Sequence, residues 1–350
     1  MSRSDVRILT VVGARPQFIK AAMVSRAVVV HNEQGQSPPI TEEIVHTGQH
    51  YDPAMSQVFF DELGIPEPAV NLAVGSGSHA RTTARMLEGI EREILARQPH
   101  WVLLYGDTNS TLAGALAAAK LHVPVAHVEA GLRSFNRKMP EEINRVLTDH
   151  VSALLFCPTK AAVENLAREG MIAGVHHVGD VMYDAALAFG QIARRRSEIL
   201  PRLGLEPKQY YLSTVHRAEN TDDRERLAGI LEGLGELARE LPVILPLHPR
   251  TRKCIQSHGL EDRYDGIRTI EPVPFLDMVR LEQEAKVILT DSGGVQKEAC
   301  FHGVPCVTLR GETEWVETVE AGWNRLSGAE CGRIVGGVRS AKPGNSIAEY

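Results

Sequence analysis

Ile288-Leu-Thr-Asp-Ser-Gly-Gly-Val-Gln-Lys-Glu-Ala299 carries three local signals in succession. Apolar residues from Ala285 to Leu289 read as a short buried strand. Ser292-Gly293-Gly294 then forms a small turn, and a helix-like run carrying Glu298 follows. A strand that ends in Ser-Gly-Gly at a helix start is suited to receive an anion. Glycines let the backbone come close, and the unpaired N–H groups of the first helical turn point at the ligand. Glu298 lies about one turn into the helix, where a carboxylate can accept hydrogen bonds from a ribose, so a nucleotide fits better than free phosphate. The ordinary alternative is a strand-to-helix turn with a serine cap.

Outward from this stretch the chain alternates strand and helix nearly throughout. Strands are expected at Arg7–Val12, Ile44–His46, Trp101–Tyr105, Pro124–Val128, Ala153–Cys157 and Val175–Val178. Helices fall between them at Pro16–Val30, near Ala54–Leu63, and at Thr82–Arg97, Ser110–Leu121, Glu141–His150 and Lys160–Glu169. A second series follows. It has helices at Met182–Ile199, Asp223–Glu240, Phe275–Glu284 and Val295–His302, and strands at Tyr210–Thr214, Val243–Pro246, Val287–Thr290 and Cys306–Leu309. Such alternation predicts an α/β chain with two Rossmann-like, doubly wound domains, residues 1–177 and 178–350, facing each other across a cleft. Ligands of such sheets bind outside the carboxyl ends of the strands, and the motifs of interest all fall there.

Composition narrows the function classes. The chain has 350 residues, 43% apolar and 23% charged, with net charge −6 and mean hydropathy −0.15. That balance argues against bulk attraction to nucleic acid or an anionic membrane, so any phosphate binding must be local. No apolar run approaches membrane-spanning length and no leader peptide is expected. Cysteines 157, 254, 300, 306 and 331 form no paired spacing. A reduced, cytoplasmic protein without structural zinc is the simplest expectation. The histidines show no metal-ligand spacing, so neither a metal nor another cofactor is proposed. Gly75-Ser-Gly-Ser-His-Ala80 imitates a dinucleotide fingerprint, but it follows a weak strand and lacks the partner acid, so it reads as a loop.

Charged residues gather at the strand ends of the first series. Gly13-Ala-Arg-Pro-Gln-Phe-Ile-Lys20 opens the first helix, with Pro16 where a missing N–H costs nothing. Arg15 and Lys20 near that helix start can hold or neutralise a diphosphate, or they are solvated surface cations. Tyr105-Gly-Asp-Thr-Asn109 places Asp107 at a strand end, where it either faces the ligand or caps the next helix. Glu129 in His127-Val-Glu-Ala-Gly-Leu-Arg133 is buried by its context and needs a partner, for which Arg133 is a candidate. Pro140-Glu-Glu-Ile-Asn-Arg145 carries Glu141, which is open to either role, and Glu142, which reads as a complement to the helix dipole. Asp107, Glu129 and Glu141 at neighbouring strand ends push one another's pKa values apart, so one can act as acid while another acts as base.

In the second series, His216 and Arg217 follow one strand, and His248 and Arg250 follow the next. Two His–Arg pairs at adjacent strand ends suggest a polyanion site. Arg310-Gly-Glu-Thr-Glu-Trp315 ends the last strand and can add contacts to a sugar.

The ordered set of motifs resembles the non-hydrolysing UDP-N-acetylglucosamine 2-epimerase family. The set comprises Gly13-x-Arg-Pro-x-x-x-Lys20, Gly48-Gln-His50, Gly106-Asp-Thr108, His127–Arg133, Pro140–Arg145, His216-Arg217-x-Glu219 and Asp291-Ser-Gly-Gly294. The resemblance covers nearly the whole chain. It implies two domains of the GT-B type and interconversion of UDP-GlcNAc and UDP-ManNAc, by elimination of UDP to a 2-acetamidoglucal and re-addition. By the match, Asp107, Glu129, Glu141 and His216 are catalytic. Arg15, Lys20, Arg145, His248, Arg250, Phe275, Ser292, Gly293, Gly294, Glu298 and Arg310 hold the UDP-sugar. Gln49 and His50 match a segment that lies near an activating second UDP-GlcNAc in bacterial members, and family members are dimers. Two departures stand out. Thr313-Glu-Trp-Val-Glu317 replaces the commoner Thr-Glu-Arg-Pro-Glu, and Ala-Arg-Pro-Gln-Phe18 replaces Thr-Arg-Pro-Glu. Both resemble the branch acting on UDP-2,3-diacetamido-2,3-dideoxyglucuronate. The competing readings are a GT-B glycosyltransferase, which needs no carboxylate cluster, and a nucleotide-sugar-binding protein without turnover, against which the three acids argue.

Overall fold

A computed structural model describes residues 5–48, 64–264 and 266–347, the side chain of Arg15 excepted. Gln49, His50 and the helix expected near residues 54–63 lie outside the described residues. The chain forms two compact units, one running to Ala185 and the other beginning at Ala186, with the boundary inside helix Val181–Arg196.

The first unit is built on a parallel sheet. Its described strands are β1 (Val6–Val12), β2 (Ile40–His46), β3 (Val70–Asn71), β4 (Trp101–Tyr105), β5 (Val125–Val128), β6 (Leu154–Cys157) and β7 (Val175–His177). Their order in the sheet is β3-β2-β1-β4-β5-β6-β7, and every pairing is parallel. The interior residues of β1, β4 and β5 are mostly apolar, Thr10 and His127 excepted, and nearly all are buried, as helices on both sides of a parallel sheet require. Leu9, Val11, Val102, Leu104 and Val125 pack with Met86, Ile90 and the small side chains Ala113 and Ala117 in one core.

The second unit repeats the plan. Its strands are β8 (Tyr211–Thr214), β9 (Val243–Pro246), β10 (Arg268–Ile270), β11 (Val287–Thr290), β12 (Cys306–Thr308) and β13 (Asn324–Leu326). They lie in the order β10-β9-β8-β11-β12-β13, again parallel. In each sheet the strand order first runs one way from the opening strand and then resumes on its other side, at β1/β4 and at β8/β11. That switch point is where an open α/β sheet leaves a crevice for a ligand.

Several expectations are refined. Strands β3, β10 and β13 go beyond the sequence reading: each has three residues or fewer at or near a sheet edge, too short for a periodic signal. Helices Pro249–His258 and Cys331–Arg339 are likewise additions. The helix expected over Met182–Ile199 is two, Val181–Arg196 and Ile199–Leu203. Pro201 explains the break, since its ring would clash with the carbonyl of residue 197 in a continuous helix. Gly75–Ser78 is a loop as expected, but His79 and Ala80 already belong to helix His79–Arg97, which Ser78 caps.

Candidate functional site

The first constellation sits at the β1/β4/β5 ends. After β1, Gly13 passes so close to its neighbours that a Cβ there would lie 2.1 Å from Ser110 Oγ and 2.2 Å from Thr47 Oγ1. Gln17 reaches back from helix Arg15–Glu33 to tie this turn down. Its Oε1 accepts from the Gly13 and Ala14 N–H groups at 2.9 and 3.0 Å, and its Nε2 donates to the Tyr105 carbonyl at 2.8 Å. A glutamate could not make that last bond, so Gln17, one of the departures noted above, is matched to its surroundings here.

Lys20, one turn further along the same helix, is nearly buried and forms an ion pair with Glu129. Arg133, the partner suggested from sequence, is turned elsewhere: it binds Asp149 at 2.7 Å and Glu169 through two bonds of 2.7 and 2.8 Å. Strand order is the reason. Side by side, β1, β4 and β5 bring Lys20 to Glu129 across 109 residues of sequence, while Arg133 follows the turn away from the strand ends. Glu129 itself holds a left-handed backbone with φ +71. That conformation costs a non-glycine residue of order 1 kcal/mol or more, and it is found where a side chain must be aimed. Here it aims the carboxylate at Lys20.

Asp107 does not cap the following helix; Thr108 does, accepting from the Thr111 N–H. The Asp107 carboxylate pairs instead with Arg145, and Asn144 Nδ2 donates to the Asp107 carbonyl at 2.9 Å. Burial pushes the Asp107 pKa up. Arg145 and Lys20 oppose the shift, and the nearby charges of Glu129 and Glu141 add to it. Glu141 is half-buried and makes no hydrogen bond or ion pair among the described residues, so it is available to a ligand. Glu142 is more than a dipole complement. It is buried, accepts from the Ser134 and Phe135 N–H groups at 2.9 and 3.0 Å, and binds Arg145 at 2.7 Å. Burial works against its charge, but these donors outweigh it and hold its carboxyl below the usual range. Glu142 therefore positions Arg145, which in turn holds Asp107.

The second constellation sits at the β8/β11 ends. Helix Gly293–Phe301 starts two residues earlier than expected, so both glycines lie in its first turn; Ser292 is its N-cap and accepts from Val295. Gly294 is exposed, and a Cβ there would meet nothing closer than Ser292 Oγ at 3.9 Å. Gly293 is crowded: a Cβ would lie 2.7 Å from Glu314 Oε1 and 3.4 Å from Trp315 Nε1. Glu314 is held by Arg310 at 3.0 Å, and the Lys297 ammonium lies 3.9 Å from the centroid of the Trp315 ring. Glu298 is half-buried on the same helix.

Asp291, quoted in the motif but given no role from sequence, organises this end of the sheet. Fully buried, it accepts from the backbone N–H groups of His216 and Arg217 and from Asn220 Nδ2, at 3.0–3.1 Å. A buried carboxylate at a strand end is the signal that points to it. His216 stands with its ring centroid 6.1 Å from that of His248. Burial lowers the His216 pKa, with Arg217 and His248 adding to the shift and Asp291 opposing it, which leaves the ring neutral at pH 7. His248 caps helix Pro249–His258, and Arg250 on that helix is bound to Asp222 through two contacts of 2.8 Å. The Phe275 ring is buried edge-on to Phe189, 5.2 Å away, so as an expected ligand contact it has only its backbone at the helix start to offer. Among the described residues no helix is long and apolar enough to cross a membrane.

Two parallel doubly wound units, one carrying carboxylates at its switch point and the other a glycine helix start, define an α/β protein of the GT-B type. Comparison with known proteins makes this specific. A family model described as UDP-N-acetylglucosamine 2-epimerase matches residues 32–349. The chain is 52% identical to a UDP-N-acetylglucosamine 2-epimerase homolog of Methanococcus maripaludis, over 99% of this chain and 95% of the relative. It is 53% identical to the UDP-2,3-diacetamido-2,3-dideoxy-D-glucuronate 2-epimerase of Pseudomonas aeruginosa, over 96% and 92%. The crystal structure of the Methanocaldococcus jannaschii UDP-GlcNAc 2-epimerase in complex with UDP-GlcNAc and UDP superposes with a TM-score of 0.88 at 43% identity, covering 98% and 96%. The chain belongs to the UDP-N-acetylglucosamine 2-epimerase family, and it is an isomerase.

Proposed function

We propose that this enzyme inverts C2 of a UDP-2-acetamido sugar, with UDP-GlcNAc and UDP-ManNAc as the interconverted pair. The observation that carries the reading is the meeting of Asp107, Glu129 and Lys20 at one switch point, with Glu129 in a left-handed backbone. C2 has no adjacent carbonyl, so its proton is not acidic in the ground state. Loss of UDP from C1 builds positive charge there and acidifies the C2 proton, leaving a 2-acetamidoglucal; UDP adds back after reprotonation on the other face. The chemistry needs a base and an acid. Glu129, ion-paired to Lys20, supplies the carboxylate. Asp107, whose pKa burial raises, can carry the proton, and Glu141 is the third acid in reach. The helix start at Ser292–Gly294 receives the diphosphate, Glu298 the ribose, and neutral His216 and Arg310 flank the phosphates. Arg15 belongs to the same proposal through its motif.

A second reading, the diacetamido-uronate nucleotide as substrate, is favoured by Trp315, by Gln17 and by the 53% identity to the Pseudomonas enzyme. Activation by a second UDP-sugar near Gln49 and His50, a homodimer and a cytoplasmic location complete the proposal from family resemblance. The test is incubation with each nucleotide sugar in D2O, followed by NMR. Deuterium entering C2 as the epimer appears supports the reading and selects the substrate. No exchange with either compound would sink it.

A further inference from the structure

Beneath the carboxylates of the first unit lies a polar cluster that the proton chemistry does not touch. His127 is fully buried on β5, two residues before Glu129. Its Nδ1 lies 2.7 Å from Oδ1 of Asp149, and its Nε2 lies 2.7 Å from the carbonyl oxygen of Gly106. A carbonyl oxygen only accepts, so Nε2 carries a proton. Asp149 also accepts from Arg133 at 2.7 Å and from the Gly131 N–H at 3.1 Å. Burial opposes its charge, yet His127 and Arg133 hold its carboxyl below the usual range. With the Arg133 guanidinium and the Gly131 N–H both donating to Oδ2, Asp149 is held as a carboxylate by groups other than His127, and its Oδ1 only accepts. Two acceptors thus face the two ring nitrogens, an arrangement that a ring carrying N–H at both satisfies. Locally, His127 and Arg133 face Asp149 and Glu169. Cys157, the other titratable neighbour of Asp149, stays a neutral thiol, pushed up to about 12 mainly by burial.

The residue held by Nε2 is the turn residue between β4 and Asp107. Gly106 has φ +63 and donates its N–H to the Val128 carbonyl at 3.0 Å. A Cβ on it would lie 3.3 Å from both Glu129 Oε2 and Lys20 Nζ. Asp107 follows directly. We propose that His127 is a positioning residue: as a buried imidazolium it locks the Gly106 carbonyl, and with it the backbone that carries Asp107 and flanks the Lys20–Glu129 pair. A hydrogen bond from a charged donor is about twice as strong as a neutral one, which suits a turn that must hold two acids apart by fixed amounts. The proposal rests on the reading of Asp107 and Glu129 as proton carriers.

The test uses the full-length enzyme. In wild type, 15N NMR of labelled histidine, assigned by difference from His127→Gln, shows both His127 nitrogens protonated; an unprotonated ring nitrogen overturns the proposal without requiring any variant to be active. Gln keeps one donor of the two. His127→Gln is expected to lose roughly 10–100-fold in kcat for C2 exchange, the loss of one charged hydrogen bond, while KM and UDP affinity stay within about twofold. Undiminished kcat in that variant, with wild type active, overturns the role of His127 alone. No C2 exchange in wild type overturns the underlying reading instead.

Discussion

The β1/β4 and β8/β11 switch points share one topology and carry opposite chemistry. Each is the reversal point of a parallel sheet in the same strand order. The first is lined by acidic and basic side chains in contact: Lys20 with Glu129, Arg145 with Asp107 and Glu142. The second offers backbone at the start of helix Gly293–Phe301, beside a turn whose N–H groups are already taken by Asp291. Topology makes a crevice at each, and the groups that line it differ. A fold alone therefore says little about activity, and the comparison must be broken residue by residue.

The largest effect is expected from Glu129→Gln. It keeps shape and leaves the second unit untouched, so UDP binding by calorimetry should persist while C2 exchange falls by roughly 10²–10⁴-fold. Retained exchange would remove Glu129 from the chemistry and make the two switch points less different than they look.

Next is Asp149→Ala, which leaves His127 Nδ1 without its acceptor and Arg133 with only Glu169 as a carboxylate partner. A stability loss of roughly 3–5 kcal/mol is expected in denaturant titration. The pH dependence has a definite sign. The folded Asp149 pKa is depressed, so its stabilisation is complete above the unfolded value of about 3.9 and is lost as pH falls through the folded value. Asp149→Asn should flatten that acid limb; an unchanged limb would mean other carboxylates set it.

On the second switch point the two glycines should separate. Gly293→Ala puts a Cβ 2.7 Å from the Glu314 carboxylate, which must shift to make room, and is expected to cost about 1 kcal/mol in stability. Gly294→Ala has room in the folded chain, so it should leave stability nearly unchanged; if the diphosphate binds at this helix start as proposed, it should weaken UDP binding by about tenfold, or about 1.4 kcal/mol. Equal UDP affinity in Gly294→Ala and wild type would move the phosphate away from this helix start.

The smallest effect is a protonation. His216 is neutral near pH 7 because burial lowers its pKa. A diphosphate beside it would raise that pKa, so UDP binding near pH 6 should take up a fraction of a proton, read as a buffer-dependent enthalpy in calorimetry. Without ligand the sign runs the other way: with its folded pKa below the unfolded value of about 6.5, His216 subtracts stability as pH drops through that window. No proton uptake would place His216 away from the nucleotide.

Much of the architecture is legible in the order of residues alone. Trp101–Tyr105, Val243–Pro246, Phe275–Glu284 and Val287–Thr290 form as expected to the residue, because periodic or continuous apolar runs bounded by turn residues carry their own signal. Edge strands such as Val70–Asn71 carry none, and they exist only because a neighbour offers unpaired backbone groups. The acids of the first site are recognisable as residues at strand ends. Their partners are not: Arg133 stands near Glu129 in sequence, and Lys20 stands next to it in space.

What the sequence by itself determined is local. It set the helix start at Ser292–Gly294, where small residues and a cap act within one turn, the strand ends that bear Asp107 and Glu129, and the family. The tertiary structure alone decided who holds whom. Lys20 on Glu129, the His127 ring between Asp149 and Gly106, and Glu314 and Trp315 against Gly293 are all contacts between strands and helices brought together by sheet order. A buried charge takes the partner that packing delivers, because in a low-dielectric interior the cost of leaving it unpaired exceeds any preference written in sequence proximity.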